Sequence, residues 1–200
     1  LSGYLRRLGF RVKNGGIVPD EAKQTQRAVR MALDSEADVV ITTGGASVGD
    51  YDFAERTAKE IGAEQLFWKV NVKPGGALLV SRYGEKMLLS LSGNPAAALM
   101  SMLVVLLPCL SGLTGEKPEQ QRLRLPLLRD MPKTSSAVRL LRGHLEIQEG
   151  KAYFSEHNGR GNGNIASFAR CELIGVIPGN APPLKAGDEI EAIRLPSALI

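Results

Sequence analysis

The stretch Asp38-Val39-Val40-Ile41-Thr42-Thr43-Gly44-Gly45-Ala46-Ser47-Val48-Gly49-Asp50-Tyr51-Asp52-Phe53 decides the fold. Asp38 to Ile41 predicts a short buried strand, the glycine-rich segment a tight loop, and Phe53 to Ile61 a helix. A strand that passes through a glycine loop into a helix is the repeating unit of an α/β layer structure, whose ligands bind beyond the carboxyl ends of the strands.

The same alternation continues on both sides. Upstream, Phe10-Arg11-Val12 and Gly16-Ile17-Val18 predict one strand and its exit, and Glu21 to Asp34 a helix with Ala28, Met31 and Ala32 at helical spacing. Downstream, Phe67 to Val72 predicts a strand, Ala77 to Ser81 and Lys86 to Leu91 a hairpin, and Pro95 to Gly112 the last helix. Such alternation implies parallel strands with helices on both faces. A polar linker follows at Thr114-Gly115-Glu116-Lys117-Pro118-Glu119, and helical periodicity stops. Leu123–Leu128, Val138–Ile147, Ala152–Ser155, Cys171–Ile177 and Glu189–Leu195 are short strands between Gly, Pro and Asn turns. The expected organisation is an α/β domain over 1–117 and a small β-barrel or sandwich over 118–200.

Composition narrows the function. The 200 residues are 44% hydrophobic and carry a formal charge of only +4. That balance suits an anionic small-molecule substrate and, without a long basic run or an RNP-like aromatic motif, argues against nucleic acid. The uncharged run between Lys86 and Glu116 is broken by Ser92-Gly93-Asn94-Pro95 and by Pro108, so it falls short of the roughly 20 apolar residues of a membrane span. Cys109 and Cys171 form no CxxC pair, and with His144 and His157 they complete no zinc set. Both read as reduced packing residues of a cytoplasmic protein. The chain opens without a Met on what reads as the interior of a helix, so upstream sequence is expected.

Three loops, each after a predicted strand, are candidates for chemistry. In the first, Gly44, Gly45, Ser47 and Gly49 can turn backbone N–H groups toward an anion. Gly44 to Gly49 has the spacing of a P-loop, yet Asp50 stands where its lysine must be. A carboxylate there fits a divalent metal bridging to the anion, or simply a helix cap. In the second loop, Lys69 and Lys73 are four apart, hence on one face of a strand, and lead into Pro74-Gly75-Gly76. They could bracket an oxyanion or form a solvated strand edge. In the third, Asn94 reads as an N-cap, Pro95 as the first helical residue, and Gly93 as the point of ligand approach. Asp20 follows a predicted strand and is either a fourth member or an ordinary helix-start acid.

In their order, Gly16-Ile17-Val18-Pro19-Asp20, Gly44 through Asp52, Phe67-Trp68-Lys69 through Lys73-Pro74-Gly75, and Ser92-Gly93-Asn94-Pro95 resemble the molybdopterin molybdenumtransferase family of bacterial MoeA and the gephyrin E domain. Leu141-Arg142-Gly143 and Ala186-Gly187-Asp188 fit that family's C-terminal domain. The resemblance implies a three-layer α/β sandwich of the MoaB/Mog type followed by a β-barrel-like domain. It implies molybdenum insertion from molybdate into adenylylated molybdopterin, with release of AMP. By the same resemblance, Asp20 and Asp52 serve Mg²⁺ or the nucleotide end, and Lys69 and Lys73 the phosphate or molybdate. Gly44, Gly45, Ser47, Gly49, Gly93, Asn94 and Pro95 line the pterin-phosphate pocket, and Arg142 reaches in from the second domain. A homodimer and a Mog-type adenylyltransferase upstream in the pathway are the implied partners. The chain departs from the family at Gly76-Ala77, where Lys-Pro is usual, at Arg160-Gly161-Asn162 in place of Gln-Gly-Ser, and at Arg170-Cys171 in place of Ala-Asn. Those departures keep open a non-catalytic scaffold, and the shared α/β domain keeps open a Mog-type adenylyltransferase. With upstream regions absent, this stretch alone is expected not to turn over.

Overall fold

The computed structural model describes residues 1–44, 51–114, 121–157, 168 and 170–195, without the side chains of 51–53 and 111–114. The elements run α1 (Ser2–Arg7), α2 (Ala22–Leu33), β1 (Val39–Thr43), α3 (Tyr51–Glu60), β2 (Glu64–Trp68), β3 (Val72–Lys73), β4 (Leu78–Tyr83), β5 (Lys86–Leu91) and α4 (Pro95–Ser101). A π-helical stretch (Met102–Leu106), α5 (Leu107–Thr114), β6 (Arg122–Pro126), β7 (Val138–Gln148), β8 (Lys151–Glu156), β9 (Leu173–Ile177) and β10 (Glu189–Arg194) complete the chain. Two compact units result: Leu1–Val70 with Gly75–Ser101, and Asn71–Pro74 with Met102–Ile200. Residues 71–74 count with the second unit because β3 joins its sheet.

The first unit holds a four-stranded sheet in the order β1-β5-β4-β2. Val29 and Leu33 of α2 and Ala58 of α3 pack with Val40, Leu79 and Leu88 of the sheet. Along β4, successive residues Leu78, Leu79, Val80 and Ser81 are all buried, so both faces of the sheet are covered, as a layered α/β unit requires. In this sheet β1 and β5 pair in parallel, and β4 is antiparallel to both neighbours. The hairpin expected from Ala77–Ser81 and Lys86–Leu91 forms as β4 and β5, while β2 pairs antiparallel rather than parallel, and connection length explains both. Parallel neighbours need a crossover of about a dozen residues or more. The β4–β5 link is a tight turn with Gly84 at φ +58°, and β2 reaches β4 across 69–77 without a helix.

Residues 10–19 form no strand. Asn14 accepts a hydrogen bond from the Gly16 N–H through its side chain, a local turn that competes with a ladder, and Ile17 is fully exposed. The last helix is interrupted by the π-helical stretch just before Pro108. A proline lacks an N–H and its ring crowds the carbonyl four residues back, here Val104, so a widened turn relieves the conflict.

The second unit is a six-stranded sheet in the order β3-β7-β9-β10-β6, with β8 paired to β7. Leu127 bridges to Phe154, and the Leu128 N–H donates to the Phe154 carbonyl at 3.0 Å, bringing the far edge back to β8. The sheet so curls around Leu125, Leu127, Leu141, Phe154, Leu173 and Ile190. Room for the Phe154 ring comes from two glycines: a Cβ at Gly143 would lie 2.5 Å from it, and one at Gly175 2.7 Å. The strands expected past the linker all form. Cys171 is buried but Cys109 is exposed, so only one cysteine is a packing residue.

Candidate functional site

Strand direction assembles the site. β1 and β5 run the same way, and β2, antiparallel to β4, which is itself antiparallel to β5, runs with them. The loops after Thr43, Trp68 and Leu91 therefore leave the same end of one sheet. Two of them touch. The Gly44 N–H donates to the Leu91 carbonyl at 3.2 Å, and a Cβ at Gly93 would stand 3.2 Å from the Gly44 Cα. Gly44 has φ +89°, a conformation costly for any residue with a Cβ. One residue back along each strand, the Thr42 hydroxyl donates to the Ser90 hydroxyl at 3.0 Å. The result is a junction of bare backbone at the carboxyl end of the sheet, the arrangement that lets an anion approach N–H groups closely.

Asn94 forms the N-cap expected of it. The Asn94 Oδ1 accepts from the N–H groups of Ala96 and Ala97, both at 3.1 Å, and the Asn94 N–H donates to Ser92 Oγ at 3.2 Å. Pro95 has no N–H to offer. The first turn of α4 is thus capped by its own loop, and exposed Gly93 remains as the open approach.

The Lys69 and Lys73 pair is corrected. β2 ends at Trp68 in the first sheet, Lys69 adopts φ +62°, and Lys73 belongs to β3, which pairs with Val138 and Arg139 in the second sheet. Residues four apart share a face only within one continuous strand, and the left-handed residue breaks it. Lys69 is exposed, with its Nζ 4.3 Å from the centroid of the Trp68 ring. Lys73 is exposed in the second unit. Pro74 and Gly75 make a turn with Gly75 at φ +101°, and the Ser101 hydroxyl donates to the Gly75 carbonyl at 2.6 Å.

Of the remaining candidates, Asp20 stands exposed on the irregular segment before α2, whose N-cap is Glu21. With no strand before it, sheet direction does not bring Asp20 to the site. Gly45, Ser47, Gly49 and the Asp52 side chain, like Arg160, Gly161 and Asn162, lie outside the described residues. Arg142 lies on β7 with its guanidinium 5.4 Å from the Phe168 ring centroid. Sequence reasoning missed Ser101 and the Thr42–Ser90 pair. Ser101 was findable as a hydroxyl among the apolar residues that open the last helix, two turns after Asn94 and so on the same face. Among the described residues, no three His, Cys, Asp or Glu side chains converge as a metal set, and no helix is long and apolar enough to cross a membrane. Burial pushes the Cys171 thiol up to about 11, so it is no nucleophile near neutral pH.

Residues 1–112 match the family model described as "Probable molybdopterin binding domain", and residues 124–195 match "MoeA C-terminal region (domain IV)". A molybdopterin molybdenumtransferase of Bacillus subtilis strain 168 is 30% identical over 181 residues, 90% of this chain and 42% of that protein. One from Staphylococcus epidermidis is 30% identical over 194 residues, 96% of this chain and 46% of its own length. The chain thus spans less than half of these relatives. Among solved structures, the Pyrococcus horikoshii molybdopterin biosynthesis MoeA protein superposes with a TM-score of 0.78 at 20% identity, covering 96% of this chain and 46% of that one. A Pyrococcus furiosus molybdenum cofactor biosynthesis protein gives 0.73 at 22%, covering 97% and 62%.

Proposed function

We infer that this chain works in molybdenum cofactor biosynthesis, because it belongs to the molybdopterin-binding domain family over residues 1–112 and continues into a MoeA C-terminal region over 124–195. The reaction we propose for the full-length protein is insertion of molybdenum from molybdate into adenylylated molybdopterin, with release of AMP. That two-part order carries the reading. The appended C-terminal region also favours it over a Mog-type adenylyltransferase.

The junction of Gly44 and Gly93 is the proposed cradle for the pterin phosphate, extended by Gly45, Ser47 and Gly49, with Asn94 and Pro95 holding its floor. A phosphate there gains charge-assisted hydrogen bonds from backbone N–H groups, which need no side chain. Lys69 is the proposed oxyanion partner in the first unit. Lys73 and Arg142 are proposed as anion-binding groups in the second. Asp20 and Asp52 are the residues proposed to hold Mg²⁺, since carboxylate oxygens suit that hard ion. Bound there, the ion would offset negative charge on phosphate and oxyanion. A homodimer, a Mog-type adenylyltransferase as supplier of the adenylylated pterin, and a cytoplasmic location complete the proposal.

The test is to supply the full-length protein with adenylylated molybdopterin and to follow AMP with and without molybdate. Molybdate-dependent AMP release is expected. An enzyme that instead consumes ATP with free molybdopterin is an adenylyltransferase. A protein that binds the pterin without releasing AMP is a scaffold, the reading that the missing lysine at Gly76 favours. Either result overturns the proposal.

A further inference from the structure

We propose that Ser101 is a positioning residue for the oxyanion site, acting through Gly75 on the segment that carries Lys69; this rests on the reading of Lys69 as an oxyanion partner. Ser101 is completely buried at the end of α4. A hydroxyl in an apolar surrounding is costly unless bonded. The helix itself offers a partner, since the Ala97 carbonyl lies 2.9 Å from the Ser101 Oγ. The shorter contact, 2.6 Å, nevertheless goes out of the helix to the Gly75 carbonyl.

Gly75 is built to receive it. A Cβ there would lie 2.9 Å from the Ser101 Oγ and 3.1 Å from both the Ala97 carbonyl and the Ser101 nitrogen. Its φ of +101° excludes side chains independently of that crowding. From Gly75 the constraint passes along backbone. The Gly76 carbonyl accepts from the Val70 N–H at 3.0 Å, and the Leu78 carbonyl accepts from the Lys69 N–H at 2.9 Å. Lys69 thus takes its left-handed conformation opposite a segment fastened by Ser101. At its other end α4 begins beside Gly93, which abuts Gly44. One short helix therefore fixes both the glycine junction and the lysine loop, and all of these residues lie in the first unit. Deleting the hydroxyl frees the Gly75 carbonyl and widens the positions open to the Lys69 ammonium.

The experiment is a double-mutant cycle on the full-length protein, with Ser101→Ala, Lys69→Ala and the pair. Calorimetric titrations with molybdate and, separately, with AMP distinguish a free oxyanion from a nucleotide phosphate as the ligand of Lys69. Ser101→Ala should weaken binding of that ligand roughly fivefold, the worth of one ordinary hydrogen bond. The pair should bind no more weakly than Lys69→Ala alone, because a positioning residue has nothing left to position. Losses that simply multiply, or a Ser101→Ala protein that binds like wild type, would overturn the proposal while leaving Lys69 as an anion partner. A wild-type protein that binds neither probe overturns the reading of Lys69 itself. If Ser101→Ala does not fold, Ser101→Thr, which shifts the hydroxyl without deleting it, carries the same cycle.

Discussion

Gly93 approaches Gly44 so closely that a Cβ on the former would stand 3.2 Å from the Cα of the latter. The two residues are 49 apart in sequence and leave the ends of parallel neighbours β1 and β5. Gly93→Ala should therefore push the two loops apart, costing about 1 to 3 kcal/mol of stability as overpacking does. Denaturant unfolding measures the cost, and phosphate-analogue binding to the same variant should weaken. An alanine variant with unchanged stability and binding would show that the junction has slack.

Asn94→Ala removes the acceptor shared by the Ala96 and Ala97 N–H groups. The expected loss is about 1 kcal/mol, typical of an N-cap. Anion binding should survive or rise slightly, because two donors are released at the cleft. A large loss of binding without a loss of stability would instead make the Asn94 side chain a direct ligand contact.

In the second unit, Gly175→Ala should destabilise strongly, since its Cβ would meet the Phe154 ring at 2.7 Å and Ile190 at 2.9 Å. Phe154→Leu alone should cost a few kcal/mol, on the order of other buried truncations. Combined, the two should cost less than their sum, because the smaller side chain makes room for the methyl. Strict additivity in chemical denaturation would refute this account of the glycine.

Cys171 makes stability fall at high pH. Its thiol is raised from 9.0 to about 11, chiefly by burial. Between those values the unfolded chain has lost the proton that the folded chain retains, so stability drops as pH rises. The contribution is whole below about pH 9 and gone above about pH 11, a change on the order of 2 to 3 kcal/mol. Urea midpoints from pH 8 to 11 should show the decline in wild type and a shallower one in Cys171→Ala. In the native protein a thiol reagent should modify exposed Cys109 well before Cys171.

Much of the fold was legible because periodicity and turn chemistry are local. Val138 to Ile147 alternates as a strand and became β7, whose tight link to β8 places Glu149 and Gly150 at positive φ. Ala28, Met31 and Ala32, at helical spacing, fell within α2, but its buried residues are Val29 and Leu33, and Met31 is exposed. Where the reading failed, a nonlocal fact governed. Gly16-Ile17-Val18 has strand-like residues but no neighbouring strand pairs with it. The segment from Lys69 to Lys73 looks continuous, yet the first sheet's strand stops at Trp68 and Lys73 pairs in the second sheet.

By itself the sequence determined an α/β part followed by a β part, and the family, since each rests on side-chain pattern along the chain. Only tertiary structure decided that β4 runs against β2, that Gly44 meets Gly93, and that Ser101 fastens Gly75. Those are contacts between backbones far apart in sequence or choices among competing partners. A hydroxyl or a missing Cβ carries no label for the group it will meet; strand direction and close packing select it.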